Sequence, residues 1–272
     1  MSFEEFKTRW SGMVTGHRAP AADLQLEAIL ESQSDTRGGS LPFKGLASDG
    51  EIYWIKPTSN RQSSRVPTTE QLVAGMGRLI DAPVCKTRLM TIPQDFHGEV
   101  LDNGTVLESG IVHASHDVGN CAFDKWYEPQ YRPQDDNRRR HAGYFALFDW
   151  CWGDDMQWLY DLEDDRKTYS HDHGHFLPGS PDWTVETLLQ SAQDSHELSA
   201  DGDGLDDNEL SRLAERLESL TIEEIAGVIR GIPAAWPVSD EELETAGAFF
   251  DFRRIPAAGR LRALAERLQI GS

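Results

Sequence analysis

The sequence predicts an α+β fold with two lobes, a small β-rich lobe over residues 1–115 and a larger helical lobe over residues 116–272. Two observations lead to this prediction. Short aromatic and β-branched runs, separated by glycine and proline, dominate the first part of the chain, whereas helical spacing of apolar residues dominates after residue 182. At roughly 150 residues per domain, the chain is long enough for one such two-lobed unit.

The first part begins with a helix predicted over Asp23–Gln33 and continues through a glycine-punctuated stretch, Gly38–Gly50, which we interpret as a turn. The strand Glu51–Lys56 follows it. Pro67-Thr68-Thr69-Glu70 is typical of a helix start, and apolar residues on one face extend that helix to Asp81. Further short strands are predicted at Val84–Ile92, Val106–Glu108 and Ile111–His113.

The second part begins with a helix over Arg138–Trp150, whose apolar residues are spaced for burial. Two short strands, Trp158–Asp161 and Tyr169–His171, follow an acidic loop. From Asp182 onward the chain is helical and strongly acidic, and we expect most of these acids on solvated helix faces. The predicted helices of this region are Thr184–Gln193, Asn208–Ser219, Thr221–Arg230, Asp240–Phe250 and Gly259–Gln269.

Charge and cysteine content exclude several classes of protein. The chain has 46 acidic and 26 basic residues, so its formal net charge of −20 repels nucleic acid phosphates and acidic membranes. Its most apolar stretch, near Ala142–Trp152, is too short to span a bilayer. Cys85, Cys121 and Cys151 form neither a disulfide framework nor a zinc ribbon. We therefore expect a cytoplasmic protein without nucleic acid or membrane partners.

Four short features have residue types suited to chemistry. Lys56 ends an apolar strand after a glycine-rich turn, and a lysine buried there needs an anionic partner, either a carboxylate or a phosphate. Glu70 lies in the first turn of the next predicted helix. The acids of Gly153-Asp154-Asp155 lie between two tryptophans, and Asp172-His173-Gly174 follows a strand. A carboxylate in either place can accept a proton or bind a hard cation.

In chain order these features are a glycine-rich turn, a strand lysine, a helix glutamate, an acidic loop and an Asp-x-Gly sequence. That is the order of a protein-kinase-like phosphotransferase. The sequence resembles the HipA-like kinase domain family, in particular its short actinobacterial members, which are distant relatives of the phosphoinositide 3/4-kinase-like fold. The resemblance involves Tyr53–Pro57, Glu70–Val84, Gly143–Tyr160 and Tyr169–Leu177, and Phe148–Leu177 is its most specific stretch.

The resemblance implies a protein-kinase-like two-lobed fold that binds ATP and Mg²⁺ between its lobes. It implies phosphoryl transfer to a hydroxyl of a protein or a small molecule. Lys56 would contact the α- and β-phosphates, Glu70 would orient Lys56, and Asp172 would bind Mg²⁺. The phosphoacceptor itself is not specified by these residues.

The acidic loop departs from the family pattern. The family places an asparagine five residues after the catalytic aspartate, with a basic residue between them, whereas here the loop is shorter and Gln157 stands in place of the asparagine. Gln157 would offer an amide oxygen to the metal. Either Asp155 or Asp154 would be the catalytic base, with Asp155 the first choice and Asp149 on the preceding helix the next.

The sequence is compatible with two other functions. The shortened loop is compatible with a pseudokinase that binds a nucleotide or a partner without phosphoryl transfer. A metal-dependent hydrolase would use the alternating ligands His171, Asp172, His173 and His175, with His196 as the next histidine along the chain.

Two further motifs have simpler explanations. The calcium-like loop Ser199–Leu210 lacks the glutamate required at its twelfth position, so we interpret it as a turn in which Asp207 or Asn208 caps the next helix. Arg138–Arg140 are expected to form ion pairs with Asp135 and Asp136 rather than to bind nucleic acid.

Overall fold

The structure is a computed structural model that describes residues 2–18, 20–32, 39–125, 131–155, 157–199 and 201–271. Among the predicted elements and motifs, Gln33, Gly38, Met156 and Ala200 lie outside this range. The predicted α+β fold is confirmed. The strands are β1 (Leu24–Ser32), β2 (Phe43–Ala47), β3 (Ile52–Lys56), β4 (Thr87–Ile92), β5 (Gly110–His116), β6 (Cys121–Lys125), β7 (Gln157–Asp161) and β8 (Thr168–His171). The helices are α1 (Phe3–Trp10), α2 (Val66–Leu79), α3 (Asn137–Cys151), α4 (Val185–Ser191), α5 (Asp207–Ser219), α6 (Ile222–Arg230) and α7 (Asp240–Gly271).

Five strands close into a barrel in the order β1-β2-β3-β5-β4, in which only the β1–β4 pair is parallel. Because side chains alternate along a strand, β3 directs Tyr53 and Ile55 into the barrel core and Trp54 and Lys56 to its outer face. Gly45 lies in the interior, where a Cβ atom would come within 2.4 Å of Leu26. The barrel therefore presents the strand lysine on the surface that faces the rest of the molecule.

The predicted helix over Asp23–Gln33 is wrong, because Leu24–Ser32 form strand β1. Its pairing with β2 shifts register twice, between Leu26 and Ala28 and again between Ile29 and Glu31. These bulges interrupt the period-2 alternation of apolar residues that marks a strand. The segment is a strand because its pairing with β2 and β4 closes the barrel, which is a long-range effect.

Other differences concern short elements. The glycine-punctuated stretch contains strand β2 as well as the predicted turn, and α1 and β6 had no counterpart in the prediction. The predicted strand at Val106–Glu108 is reduced to a single bridge between Val106 and Val100. Asp206, rather than Asp207 or Asn208, caps α5 by accepting a hydrogen bond from Glu209 N.

The last two predicted helices are a single helix, α7, of 32 residues. Pro256 lies inside it and is exposed, so the missing hydrogen bond and the ring are on the solvent side. Arg253, Ala258 and Leu261 are buried, and this packing keeps the helix continuous across the proline.

The remaining three strands form a sheet in the order β6-β7-β8, and its buried side packs on α3. There the indole of Trp158 stacks on Tyr144 at 4.8 Å between ring centres. Helix α1 packs on α7 instead of the barrel, since Trp10 Nε1 donates to Asp251 Oδ2 at 3.2 Å. The division of the lobes at residue 115 stays a prediction. Among the described residues, no helix has both the length and the apolar character needed to cross a membrane.

Candidate active site

Lys56 is the central charged residue of the site. It ends β3 opposite His113 of β5, and it is only 7% exposed. Its Nζ donates to Glu70 Oε1 and, at 2.5 Å, to Asp172 Oδ1. Burial opposes its charge, but the charges of Asp172 and Glu70 outweigh this effect and raise the pKa of Lys56. The structure thus brings together three residues that are distant in sequence.

Glu70 joins helix α2 to the segment that contains Asp172. One carboxylate oxygen accepts from Lys56, and the other accepts from the backbone N–H of His173 at 3.0 Å. Although burial alone would raise the pKa of Glu70, the charge of Lys56 lowers it overall. Glu70 is therefore an ionised carboxylate that holds the lysine and the Asp172 turn together.

Asp172 lies between the end of β8 and a 3₁₀ turn, His173–His175. Its backbone is left-handed, with φ 54° and ψ 54°, a conformation that costs a residue with a side chain about 1–3 kcal/mol. Its side chain remains 31% exposed. Burial of the residue opposes ionisation, but the charge of Lys56 lowers the pKa of Asp172 overall. The strained turn thus aims an ionised carboxylate at the space beside Lys56.

The acidic loop meets this group through Gln157. Gln157 Nε2 donates to Asp172 Oδ2 and to Asp155 Oδ2, both at 3.2 Å. The backbone N–H of Asp155 donates to Asp154 Oδ1 at 2.9 Å, and both acids are exposed. Asp155 also has a left-handed backbone, with φ 47°. All six predicted site residues therefore belong to one connected group, although their roles stay predictions.

A cleft of about 460 Å³ opens beside this group, within the range of small-molecule sites. Its roof is the outer face of the barrel, which provides Trp54, Lys56 and Ser115. Its floor is one face of the sheet β6-β7-β8. Cys121, Phe123, Gln157, Leu159 and His171 line that floor.

His196, which the sequence suggested only as a further metal ligand, contacts the start of the acidic loop instead. Its ring is parallel to Trp152 and to Phe148, 4.3 and 5.3 Å from their centres and within 9° of both planes. Its Nε2 donates to the carbonyl of Gly153 at 2.6 Å. A Cβ atom at Gly153 would come within 2.2 Å of the Phe148 ring, so only glycine fits there. The spacing of Phe148, Trp152 and Gly153 is visible in the sequence, but their partner 43 residues later is not.

Asp149 does not reach the cleft. It is 3% exposed, and its carboxylate is paired with Arg253 and Arg260. Arg253 also donates to the backbone carbonyls of Asp149 and Trp150. The prediction of Asp149 as the next candidate for the catalytic base is therefore wrong. Its carboxylate is buried and paired with arginines, and it stabilises the end of α3.

The histidines proposed as zinc ligands have separate partners. His173 Nε2 is 2.6 Å from Ser170 Oγ, His175 contacts Gln62, and His171 lies in the cleft floor. In the described part of the chain, no three His, Cys, Asp or Glu side chains form a group that could hold a metal ion. The arginine cluster forms the expected ion pairs, Arg139 with Asp136 and Arg140 with Asp135.

The fold has a counterpart among solved structures. The crystal structure of the proinflammatory kinase CtkA of Helicobacter pylori matches 89% of this chain and 96% of its own, with a TM-score of 0.57 and 12% sequence identity. The chain has a two-lobed, kinase-like fold. This fold accounts for a cleft whose roof is the barrel and whose floor is a second sheet.

Two structures of the Golgi casein kinase match this kinase-like fold less closely. One covers 100% of this chain and 78% of its own, with a TM-score of 0.45 and 9% identity. The other, with Mn/ADP bound, covers 98% and 81%, with a TM-score of 0.43 and 9% identity. No family model and no curated protein matches the sequence, so membership of the HipA-like family stays a prediction.

Proposed function

We propose that the protein is an ATP- and Mg²⁺-dependent phosphotransferase that acts on a hydroxyl group of a protein or a small molecule. The observation that supports this most is the position of Lys56, which bridges Glu70 and Asp172 at a cleft of suitable size. A lysine held by a helix glutamate is the arrangement that positions nucleotide phosphates in protein kinases.

Lys56 would bind the phosphates of ATP. Its ammonium has three N–H donors, and Glu70 and Asp172 engage two of them, which leaves one for a phosphate oxygen. Glu70 keeps the ammonium in place through α2. Because the lysine is buried, its attraction for a phosphate is screened less than that of a surface lysine.

The oxygen donors of the site fit Mg²⁺. Asp172 offers a partly exposed carboxylate, and rotation of the Gln157 amide would turn its oxygen toward the same space. Magnesium usually takes one or two protein oxygens together with phosphate oxygens and water. When bound, it would neutralise phosphate charge during transfer.

Asp155 or Asp154 would orient the acceptor hydroxyl. The acceptor oxygen forms a bond to the γ-phosphorus, the bond between that phosphorus and the β–γ bridging oxygen breaks, and ADP leaves. The hydroxyl proton passes to the carboxylate. Asp155 is the first choice because Gln157 Nε2 links its carboxylate to Asp172.

A second candidate function is a pseudokinase that binds nucleotide without transfer. The Gln157 amide N–H group lies between Asp155 and Asp172, where a cation would otherwise join two carboxylates. If this arrangement persists with nucleotide bound, the nucleotide binds but the metal does not.

A thermal-shift titration with an ADP-release assay tests both functions. ATP with Mg²⁺ should raise the Tm of the parent protein, since a ligand at a hundredfold excess over Kd stabilises the folded state by about 2.7 kcal/mol. Lys56→Ala should abolish the shift, whereas Lys86→Ala, at an exposed lysine, should retain it. Asp172→Asn should remove its Mg²⁺-dependent part.

The products then decide between the two functions. ADP release together with labelled protein, either the chain itself or casein added as a general acceptor, supports the phosphotransferase. An ATP-induced shift without Mg²⁺ dependence and without product supports the pseudokinase. The absence of any response to ATP contradicts both.

A further inference from the structure

A further cavity, of about 340 Å³, lies between helices α2 and α6 and has no lining residue in common with the cleft. Its volume is within the range of small-molecule sites. Helix α2 contributes Gln71, Arg78 and Leu79 to its wall, and α6 contributes Glu224, Gly227 and Val228. The cavity is therefore a place for a ligand that is separate from the candidate active site.

The packing of the two helices explains why this space is open. They are in close contact at Gly75, where a Cβ atom would come within 2.3 Å of Val228 Cγ1. One residue before Val228, a Cβ atom at Gly227 would meet no neighbouring group within 4 Å. The missing side chain at Gly227 thus leaves open space in the wall of the cavity.

Arg78 gives the cavity a positive charge. Its Nη1 donates to the hydroxyl of Thr87 at 2.8 Å, and among the described residues it forms no ion pair with a carboxylate. Partial burial lowers the pKa of Arg78, and no acidic neighbour raises it again. Arg212 and Arg216 of α5, by contrast, are each paired with a glutamate. The guanidinium of Arg78 therefore keeps N–H donors for an anion.

Gln71 is a second donor in the same wall. It lies two helical turns before Arg78 on one face of α2, which is about 10.5 Å along the axis. Its Oε1 accepts from His113 Nδ1 at 3.1 Å, so its amide N–H groups are left for a ligand. Leu79 and Val228 add apolar surface to the cavity. The wall thus combines a cation, an amide donor and an apolar part.

The charges around the cavity decide which anion it fits. Glu224 also lines it, but both of its oxygens are engaged: Oε1 accepts from Arg216 Nη2, and Oε2 accepts from the backbone N–H and the hydroxyl of Thr221, all at 2.8 Å. The bonds from Thr221 and Arg216 lower the pKa of Glu224 to about 2. Because Arg216 neutralises Glu224, the charge of Arg78 is the one left to balance. A single carboxylate balances it, whereas a doubly charged phosphate would leave excess negative charge beside Glu224.

We propose that this cavity is a second ligand site, which binds a small organic molecule with one carboxylate and an apolar body. The carboxylate pairs with the guanidinium of Arg78, whose planar shape suits two parallel hydrogen bonds. The apolar body packs on Leu79 and Val228, and Gln71 donates to a polar atom at the far end. The site does not involve the cleft, so the inference is independent of the proposed function.

Calorimetric titration of the full chain without nucleotide tests the charge requirement. The probes are 3-phenylpropionate, its uncharged analogue 3-phenylpropanamide, and inorganic phosphate. We expect 3-phenylpropionate to bind with a Kd of about 1 mM or tighter, as is usual for a ligand of this size. The amide and phosphate should bind about tenfold more weakly or not at all. Arg78→Gln should weaken 3-phenylpropionate binding by about tenfold, whereas Arg267→Gln, at an exposed arginine of α7, should not change it.

Filling the cavity tests the location. Gly227→Leu places a side chain in the open space and should abolish binding of 3-phenylpropionate. Gly259→Leu is the matched control, since Gly259 is also an exposed helical glycine whose Cβ atom would meet nothing within 4 Å. Urea unfolding verifies that both variants fold, and Arg78→Gln provides the test if Gly227→Leu does not.

Four results would overturn the proposal. The first is the absence of saturable binding of 3-phenylpropionate to the parent, and the second is equal binding of the amide. The third is phosphate binding as tight as that of the carboxylate, which would assign the cavity to a phosphate ligand. The fourth is unchanged binding in folded Gly227→Leu or in Arg78→Gln, which would place the probe elsewhere on the protein.

Discussion

The carboxylate of Asp149 accepts two hydrogen bonds from the guanidinium of Arg260, from Nε at 2.7 Å and from Nη2 at 2.6 Å. This paired geometry joins the end of α3 to α7, just before the acidic loop. Both oxygens of Asp149 are engaged by this pairing, so Asp149 has a structural role. Asp154 and Asp155, which follow it in the acidic loop, are exposed instead.

Substitution of Asp149 should lower stability, whereas substitution of Asp155 should lower turnover. Asp149→Asn leaves the buried guanidinium of Arg253 and the partly buried guanidinium of Arg260 without a counter-charge, so we expect the free energy of unfolding to fall by about 3 kcal/mol. Asp155→Asn, at an exposed position, should change it by less than about 0.5 kcal/mol. It should instead lower turnover by about 10² to 10⁴. Urea unfolding and ADP release measure the two effects, and a fully stable but inactive Asp149→Asn protein would contradict the assignment.

Lys56 and Glu70 should show strong energetic coupling. Lys56→Met leaves Glu70 charged and buried, which we expect to destabilise the protein by about 3 kcal/mol. Adding Glu70→Gln should restore part of that loss, with a coupling energy of about 0.5–3 kcal/mol. The cost of Lys56→Met should also be smaller at pH 5 than at pH 7.5, because burial without the lysine raises the pKa of Glu70. Strictly additive free energies of unfolding in the double mutant would show that the pair is not coupled.

The local sequence was enough to predict the elements that present the site. Lys56 at the end of an apolar strand, and Asp172 before His173-Gly174, are short-range patterns, and the structure places both residues at one cleft. The roles of these residues stay predictions. Helix α2 was also recognisable, because its start signal and its apolar face lie within 15 residues.

Long-range contacts account for what the sequence did not reveal. Strand β1 depends on barrel closure and on two bulges, and α7 continues through Pro256 because Arg253 is anchored on α3. Likewise, Asp149 looks like an ordinary helix acid until its partner 111 residues later is known. Such pairings have no local pattern, so periodicity cannot predict them.

Buried neutral histidines should make stability depend on pH. Burial lowers the pKa of His113 and of His173 to about 4, and that of His141 to about 3. Because an exposed histidine has a pKa near 6.5, the unfolded chain binds these protons first as the pH falls. The folded state should therefore be fully stabilised above about pH 6.5 and lose stability down to about pH 4.

The size of this effect is measurable by urea unfolding between pH 6.5 and pH 5. Each buried histidine should contribute a slope of up to about 1.4 kcal/mol per pH unit. His113→Gln should reduce the total slope, whereas His17→Gln, at an exposed position, should not change it. Equal slopes in the parent and the His113→Gln protein would show that His113 is not kept neutral by burial.

His196 should position the acidic loop without contacting nucleotide. Its Nε2 bond to Gly153 O is the last side-chain contact before Asp154 and Asp155, and its ring is locked between Phe148 and Trp152. His196→Phe keeps a stacked ring but removes the hydrogen bond, so we expect little change in the free energy of unfolding or in the Kd of ATP. Turnover should fall by about tenfold to a hundredfold, because a displacement of about 1 Å in a positioned group has effects of that size. His196→Ala should lower stability as well, since it removes the ring from the stack, and His97→Phe at an exposed position provides the control. If the His196→Phe protein keeps full turnover, the hydrogen bond to Gly153 does not set the position of the catalytic acid.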